Sequence, residues 1–205
     1  MKLYLSSYRL GNSSEKLKEL FSDNKNIAVI GNAMDFVDGI QRKEKIKQSI
    51  TELKNLGMFP EEVDLRDYFG KQKELSKKLK HYNAVYVRGG NTFILRRAMA
   101  QSGFDNLMKE KNKDPNFVYA GYSAGICVLS PNLHGLELID DPSAVPDGYN
   151  QEVIWDGLDI VDFSIAPHYK SNHPESENVD KEVEYFLKHK IPFKTLHDGE
   201  VIIRE

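Results

Sequence analysis

Short apolar segments alternate with longer amphipathic segments along most of the chain. The apolar segments predict strands at residues 2–6, 27–30, 62–65, 84–87, 117–120, 162–166, 195–197 and 201–203. Helical periodicity is clearest at residues 42–56, where Ile46, Ile50 and Leu53 fall on one face, and shorter helices are predicted at 92–99 and 179–189. Strands that alternate with helices in this way predict an α/β fold, in which helices cover both faces of a mostly parallel sheet.

The length and composition are those of one ordinary domain, which we expect to span residues 1–205. Basic and acidic side chains number 28 and 31 and are mixed along the chain, so we expect no nucleic-acid or membrane partner. A single cysteine, Cys127, excludes an intramolecular disulfide, and the short polar start is not typical of a signal peptide. We therefore expect a cytoplasmic protein without a cofactor, either a monomer or a small homo-oligomer.

Two of the predicted strands run directly into glycine-containing turns. Residues 84–87 lead to Gly89 and Gly90 in the segment VYVRGGNTF, and residues 117–120 lead to Ser123 in the segment FVYAGYSAG. Open α/β sheets bind ligands beyond the carboxyl ends of their strands. Both turns are therefore predicted to lie at the edge of the sheet where a ligand would bind.

The segment GYSAG has the Gly-x-Ser-x-Gly pattern of a nucleophile on a sharp turn between a strand and a helix. The backbone of such a turn is strained, and Gly121 and Gly125 avoid clashes with the neighbouring strand and helix. Ser123 would stand at the amino end of a helix over residues 124–129, where free amide groups stabilise negative charge. A glycine-rich turn with a capping serine is the alternative, but the preceding strand and following helix favour a nucleophile.

The glycine pair could meet a second need of a nucleophilic serine. Acyl transfer builds negative charge on the substrate carbonyl oxygen, and backbone N–H groups aimed at that oxygen lower the barrier. Gly89 or Gly90 can bring one bare amide close, and Ala124 can bring the other. The pair lacks the third glycine of a dinucleotide fingerprint and the Gly-Lys-Ser/Thr of a P-loop, so nucleotide binding fits poorly.

A nucleophilic serine also needs a general base. The histidines are His81, His134, His168, His173, His189 and His197. His168 follows the predicted strand at 162–166, within the segment APHYKSNHP, and so lies at the carboxyl end of a strand. It is the candidate base, with a loop histidine held by packing as the alternative. His173 precedes Pro174 and could help to line the pocket.

The segments RGGNTF, GYSAG and PHY, in this order and at these separations, resemble the peptidase E group of serine peptidases. This group contains aspartyl dipeptidases related to cyanophycinase, and the resemblance covers nearly the whole chain. It implies a three-layer α/β sandwich with a mostly parallel sheet, flavodoxin-like and akin to the class I glutamine amidotransferases. It also implies a hydrolase of short peptides in which Ser123 is the nucleophile and His168 the base.

The resemblance implies roles for several further residues. Amides near Gly90 and Ala124 would form the oxyanion hole, and Gly89, Asn91 and Tyr169 would contact the substrate. No metal is expected. The amidotransferase relatives carry cysteine at the position of Ser123, so hydrolysis by a thiolate is not the expected chemistry. Cys127 is expected to be a packed helix residue.

An acidic residue that orients the histidine completes such a site. In the peptidase E group this acid lies in the segment after the helix that follows the serine turn. The corresponding segment here, ELIDDPS, offers Asp140 and Asp141. We predict Asp141. Asp198, in the segment LHDGE, is a further candidate, although its simpler interpretation is an Asp-Gly hairpin turn between the last two strands.

The residues after His168 depart from the pattern of the aspartyl dipeptidases. Those enzymes place an arginine in this region to pair with the acidic side chain of the substrate. The corresponding segment here, ESENVDKEVEY, contains Lys181 and several acids but no arginine. Aspartyl specificity is therefore not predicted. An esterase or another amidase that uses the same serine, and a non-catalytic binding protein with this fold, are the alternative functions.

Overall fold

The computed structural model describes residues 1–21 and 24–205. The strands are β1 (Lys2–Ser6), β2 (Asn26–Ile30), β3 (Phe59–Glu62), β4 (Ala84–Val87), β5 (Val118–Tyr122), β6 (Ser164–Ala166), β7 (Phe193–Thr195) and β8 (Val201–Arg204). The α-helices are α1 (Ser14–Glu19), α2 (Gly39–Asn55), α3 (Gln72–Leu79), α4 (Thr92–Ser102), α5 (Phe104–Lys111), α6 (Ala124–Cys127) and α7 (Ser176–His189). None of these helices is long and apolar enough to cross a membrane.

The central sheet has the strand order β3-β2-β4-β5-β1-β8. β2 pairs in parallel with β3 and β4, and β5 pairs in parallel with β4 and β1. β8 pairs with β1 in the antiparallel direction, and β6 and β7 form a separate parallel pair. The predicted α/β fold with a mostly parallel sheet is confirmed.

Side chains of the central strands alternate between two hydrophobic cores, one on each face of the sheet. In β4, Val85 and Val87 belong to one core and Tyr86 to the other. Leu95 of α4 packs in the first core and Leu53 of α2 in the second. Because side chains in a strand point alternately to opposite faces, a strand that is apolar throughout needs such cover on both sides.

The third strand lies earlier in the chain than the sequence pattern predicts. β3 spans Phe59–Glu62, and a 3₁₀ helix begins at Leu65, within the predicted strand at 62–65. The carboxylate of Asp64 accepts a backbone N–H of this helix and fixes its start. Pro60 is tolerated because β3 is an edge strand of the sheet.

Helix boundaries also differ from the predicted ones, for local reasons. The carboxylate of Asp38 accepts the N–H groups of Ile40 and Gln41, so α2 begins at Gly39 and not at residue 42. α4 continues to Ser102 and ends at Gly103, which has the left-handed φ of 75°. The helices α1, α3 and α5 were not predicted, α6 is shorter than the predicted helix at 124–129, and β7 precedes the predicted strand at 195–197.

The carboxyl ends of the strands bring the candidate residues to one edge of the molecule. Ser7 follows β1, Gly89 follows β4 and Ser123 follows β5, which lies between those two strands in the sheet. His168 follows β6, and Asp198 follows β7, its parallel neighbour. Parallel pairing therefore places the histidine and this aspartate side by side.

Candidate active site

Ser123 stands on a strained turn between β5 and α6. Its φ is 49° and its ψ is −124°, a conformation that residues other than glycine rarely adopt. A Cβ atom at Gly121 would lie 2.8 Å from the carbonyl oxygen of Val87, and one at Gly125 would lie 2.2 Å from the same oxygen. Only glycine fits at these two positions, which agrees with the mechanical reason for the Gly-x-Ser-x-Gly pattern.

The turn after β4 packs directly against this serine. A Cβ atom at Gly89 would lie 2.8 Å from the Cβ of Ser123, so the absence of a side chain allows close approach. Gly90 has a φ of 146°, and the next amide, that of Asn91, donates to the carbonyl oxygen of Ala33 at 2.8 Å. Across the described residues, the backbone N–H groups of Gly90 and Ala124 have no hydrogen-bond acceptor. Both are thus available to a bound group.

His168 is held in one orientation at the end of β6. It is 1% exposed, and its backbone N–H donates to the Oγ of Ser7 at 2.8 Å. Its Nδ1 lies 2.6 Å from the Oδ1 of Asp198. Because a carboxylate only accepts hydrogen bonds, the ring proton of the neutral imidazole lies on Nδ1, which leaves Nε2 able to accept a proton.

Asp198 is itself fixed by two serines that the sequence analysis did not identify. The Oγ of Ser7 donates to the Oδ1 of Asp198 at 2.9 Å, and the backbone N–H of Asp198 donates to the Oγ of Ser171 at 2.8 Å. Asp198 and Gly199 do form a turn, but β7 and β8 belong to different sheets, so the predicted hairpin does not exist. The turn instead presents the carboxylate to His168.

The predicted partner of His168, Asp141, lies elsewhere. Its carboxylate is exposed and accepts hydrogen bonds from the backbone N–H and the Oγ of Ser143, at 2.8 and 2.6 Å. Within residues 1–21 and 24–205, the carboxylates within 4.0 Å of the His168 ring are those of Asp198 and Glu175. The structure therefore gives His168 a different carboxylate from the predicted one.

Asp140 and Asp141 point in opposite directions because the start of α4 fixes the chain between them. The side chain of Asn91 donates to the carbonyl oxygen of Asp141 at 2.9 Å and accepts the N–H of Ile94 at 2.9 Å. The backbone N–H of Thr92 donates to the carboxylate of Asp140 at 2.8 Å. Asp140 thereby points inward, and burial raises its pKa to about 7.

Two of the predicted substrate contacts have structural roles in this arrangement. Both ends of the Asn91 amide are used in capping α4 and anchoring the segment at Asp141. Tyr169 packs with the cluster formed by Ala166 and Phe186, under the cation of Lys170. Asn91 and Tyr169, which the sequence predicts to contact the substrate, occupy these structural positions.

The surroundings of His168 favour its neutral form. Burial lowers the pKa of His168 most, the hydrogen bond to Asp198 opposes this effect, and the adjacent His173 lowers the pKa further. The two imidazole rings stack in parallel, with centroids 3.7 Å apart and planes 8° apart. The net result is a pKa below the ordinary value for histidine, so that His168 is unprotonated at neutral pH.

A narrow pocket lies between the serine and the histidine. It has a volume of about 10 Å³ and is lined by Ser123, Ala124, His168, Asp140, Glu175 and Val179, among others. A larger cleft of about 910 Å³ lies at the opposite end of the sheet, where Asn26 and Phe59 begin β2 and β3. We take the small pocket as the candidate site because it contains the strained serine and the buried histidine.

His168, His173 and Glu175 also present potential metal ligands within 4.8 Å of one another. The imidazole rings of the two histidines are stacked in parallel. The Nδ1 of His168 is already bonded to Asp198. We interpret these residues as a stacked pair beside a carboxylate.

An α/β protein with a serine at a strand-to-helix turn and a histidine–aspartate pair beside it belongs to a broad class of hydrolase-like folds. The family profile described as Peptidase family S51 matches residues 6–205. The chain therefore belongs to peptidase family S51, and the resemblance to the peptidase E group is confirmed.

Individual relatives agree with this assignment. An uncharacterized peptidase of Listeria monocytogenes is 36% identical over 141 residues, covering 68% of this chain and 64% of the relative. An uncharacterized peptidase of Pasteurella multocida is 26% identical over 202 residues, covering 91% and 93% of the two chains. The crystal structure of a putative peptidase E from Listeria monocytogenes superposes with a TM-score of 0.73 and 27% identity, over 100% of this chain and 98% of that one. The chain therefore matches less than two thirds of the length of the uncharacterized Listeria monocytogenes peptidase.

Proposed function

We propose that the protein is a serine-type peptidase that hydrolyses short peptides through an acyl-enzyme on Ser123. The observation that supports this proposal is the proximity of three features around Ser123. These are the strained serine, the neutral buried His168 with its Asp198 partner, and the unpaired amides of Gly90 and Ala124. Together they supply a nucleophile, a base and donors for a developing negative charge.

The reaction would proceed in two halves. The Oγ of Ser123 attacks the peptide carbonyl carbon, its proton passes to the Nε2 of His168, and the amides of Gly90 and Ala124 bind the oxyanion. The C–N bond then breaks as His168 returns the proton to the leaving amine, which leaves an ester on Ser123. Water attacks this ester with His168 again as the base, releasing the acid and restoring the serine.

Ser123 and His168 line the same pocket, and a hydrogen bond between their side chains would form in the course of the reaction. Among the described residues, the Oγ of Ser123 has no hydrogen bond to His168, although both side chains line the same pocket. Catalytic hydrogen bonds are often long without substrate and shorten in the complex. Asp198 and Ser7 meanwhile keep the imidazole in the orientation that this step requires.

Labelling with a fluorophosphonate tests the proposal. The probe phosphonylates a serine only where a base and an oxyanion hole activate it, so we expect a stoichiometric adduct on Ser123, located by peptide mass spectrometry. Turnover of unblocked dipeptides and of 4-nitrophenyl acetate should disappear in proportion to the labelled fraction. An unlabelled Ser123 in folded protein would instead support a binding protein, and labelling with ester turnover but no dipeptide turnover would support an esterase.

The second test is the pH dependence of 4-nitrophenyl acetate turnover, because this ester has no amino group of its own. His168 must be neutral to accept the serine proton, and its surroundings lower its pKa. We expect kcat/KM to rise with pH through one ionisation below about 6.5, the ordinary value for histidine, and to stay constant above it.

Replacement of His173 provides the control for this profile. In His173→Phe the stacked ring remains but the neighbouring positive charge is lost, so the pKa of His168 should rise and the acid limb should move to higher pH. A midpoint at or above about pH 7 in the parent protein, or a constant rate from about pH 4 to 8, would remove His168 from the role of base.

A further inference from the structure

A cluster of buried polar side chains lies beyond the carboxyl end of β2, among residues that the proposed mechanism does not use. Its centre is the carboxylate of Asp35, which is 0% exposed. This carboxylate accepts hydrogen bonds from the Nε of Arg42 at 2.5 Å, the hydroxyl of Tyr149 at 2.5 Å and the side chain of Asn32 at 2.8 Å. The Nε of Arg66 also lies 3.4 Å from it. We call these residues the Asp35 cluster.

Stability is a weak reason for a cluster of this kind. Buried charges lose their hydration, and apolar side chains of similar volume often stabilise a fold as well or better. Tyr149 reaches Asp35 from the irregular segment after Asp141, far away in the chain. Burial and the charge of Asp35 raise the pKa of Tyr149, so its hydroxyl keeps the proton that it donates. A buried carboxylate with several donors holds them in one arrangement, so the cluster fixes separate segments relative to one another.

The segment that the Asp35 cluster fixes most directly is a short 3₁₀ helix, Asn32–Met34. The side chain of Asn32 donates to Asp35 and also to the Oδ1 of Asp64, at 2.9 Å. Its oxygen accepts a backbone N–H of the second 3₁₀ helix at 3.1 Å, so both ends of this buried amide are used. Ala33 lies between Asn32 and Asp35, and the contacts of these two neighbours therefore determine where its carbonyl group points.

Ala33 in turn packs against the turn that carries one of the candidate oxyanion-hole amides. Its carbonyl oxygen accepts the N–H of Asn91 at 2.8 Å. A Cβ atom at Gly90 would lie 2.3 Å from the same oxygen, so the two backbones are in close contact. At the other end of the turn, the N–H of Arg88 donates to the carbonyl oxygen of Ile30 at 3.0 Å. The segment after β4 is thus held at both ends by residues at the end of β2.

The position of the Gly90 amide matters because an oxyanion hole works by geometry. Its donors must lie about 2.7 to 3.1 Å from the oxygen that becomes charged, and small displacements are costly. Within residues 1–21 and 24–205, no hydrogen bond joins the Asp35 cluster to Ser123 or His168. A change in the cluster would therefore act on the oxyanion hole and leave the nucleophile and the base in place.

We propose that Asp35 is a positioning residue for the oxyanion hole, acting through Ala33 on the N–H of Gly90. Arg42 and Tyr149 hold the Asp35 carboxylate in the orientation that this requires. The proposal rests on the proposed peptidase function and adds to it a group of residues that never touch the substrate.

Asp35→Asn tests the proposal, since it keeps the size of the side chain and removes its charge. We expect kcat/KM for 4-nitrophenyl acetate to fall by about 10-fold to 100-fold, because a displaced donor costs less than the loss of one. The inhibition constant of methylboronic acid should rise by the same factor. In that adduct the Oγ of Ser123 bonds to boron, its proton passes to His168, and a boronate oxygen occupies the position of the oxyanion. The acid limb of the pH profile should not move, because His168 keeps its contacts.

Asp105→Asn is the matched control. Asp105 pairs with Arg96 at 3.0 Å, and both residues are buried, so this variant also breaks a buried ion pair. Its thermal midpoint should fall as breaking such a pair requires. Asp105 makes no contact with the Asp35 cluster in the part of the chain that the structure describes, so the ester rate and the inhibition constant should stay within about twofold of the parent.

Tyr149→Phe keeps the test decisive even where Asp35→Asn does not fold. It removes one hydroxyl and keeps the edge contact of the ring with Phe69, whose centroid is 5.1 Å away. We expect the ester rate and the affinity for methylboronic acid to fall together, by about threefold to tenfold. A fall in rate without a parallel loss of boronic acid affinity, a shifted acid limb, or an equal effect of Asp105→Asn would overturn the proposal.

Fluorophosphonate labelling of the parent protein separates failure of this inference from failure of the proposed function. If Ser123 is labelled and the Asp35 and Tyr149 variants keep the parent rate and boronic acid affinity, the protein is a serine hydrolase whose oxyanion hole does not depend on the cluster. If Ser123 in folded protein is not labelled, both proposals are contradicted.

Discussion

Replacement of Ser123 by alanine is expected to lower kcat/KM for dipeptides by at least about a thousandfold, since the loss of a nucleophile removes the covalent route and leaves only the rate due to binding and the oxyanion hole. The backbone at this position already has its strained conformation, and alanine tolerates that conformation about as well as serine. The thermal midpoint should therefore change little. Steady-state kinetics and a melting curve on the same preparation measure both quantities.

Ser143→Ala is the matched control. Ser143 is exposed and its hydroxyl contacts Asp141, on the same irregular segment that carries Asp140 into the pocket. Loss of that hydroxyl should leave dipeptide turnover within about twofold of the parent, as for most exposed substitutions. If Ser123→Ala instead retains more than about a tenth of the activity while its melting curve is unchanged, Ser123 is not the nucleophile.

The strand-to-helix turn at Ser123 could be predicted because all of its parts are close together in the sequence. The strand, the glycines and the helix occur within one short stretch, and the need for glycine follows from the close approach of the Val87 carbonyl to Gly121 and Gly125. The same holds for His168, which directly follows a strand. In both cases neighbours in sequence determine which edge of the sheet a residue reaches.

The acid that partners His168 could not be predicted in this way. Asp198 reaches the imidazole only because β6 and β7 pair in parallel outside the central sheet, and its sequence looked like an ordinary Asp-Gly hairpin. Asp140 and Asp141 are adjacent in sequence, and the contacts of Asn91 and Thr92 decide which of them points inward. Contacts between residues so far apart in the chain leave no periodic signal.

The buried carboxylate of Glu182 in α7 did leave a signal that the sequence analysis overlooked. The segment is notable in the sequence for its acids and its lack of an arginine, yet helical spacing places Glu182 beside Val179, Val183 and Phe186, which are all buried. A charged residue on the apolar face of a helix calls for a partner or a function. The sequence does not indicate the role of Ser7, because a serine after a strand is common in structures of every kind.

The second large effect is expected from Asp198→Asn, which should lower kcat by about 100-fold to 10,000-fold. The carboxylate holds the proton of His168 on Nδ1, and in the proposed mechanism it would stabilise the imidazolium that forms when the ring accepts the serine proton. Asparagine has the same size, but it carries no charge and can present its NH₂ group to Nδ1, which would favour the unproductive tautomer. Steady-state kinetics of Asp198→Asn and Asp141→Asn, measured side by side, test this difference.

Asp141→Asn is the informative control, because Asp141 is the acid that the sequence favoured. Its exposed carboxylate contacts Ser143, so its replacement should change kcat by no more than about twofold. The pH profile gives an independent readout, since Asp198 raises the pKa of His168 and its loss should move the residual acid limb to lower pH. Comparable losses in the two variants, or a limb that moves to higher pH in Asp198→Asn, would show that Asp198 does not act through the imidazole.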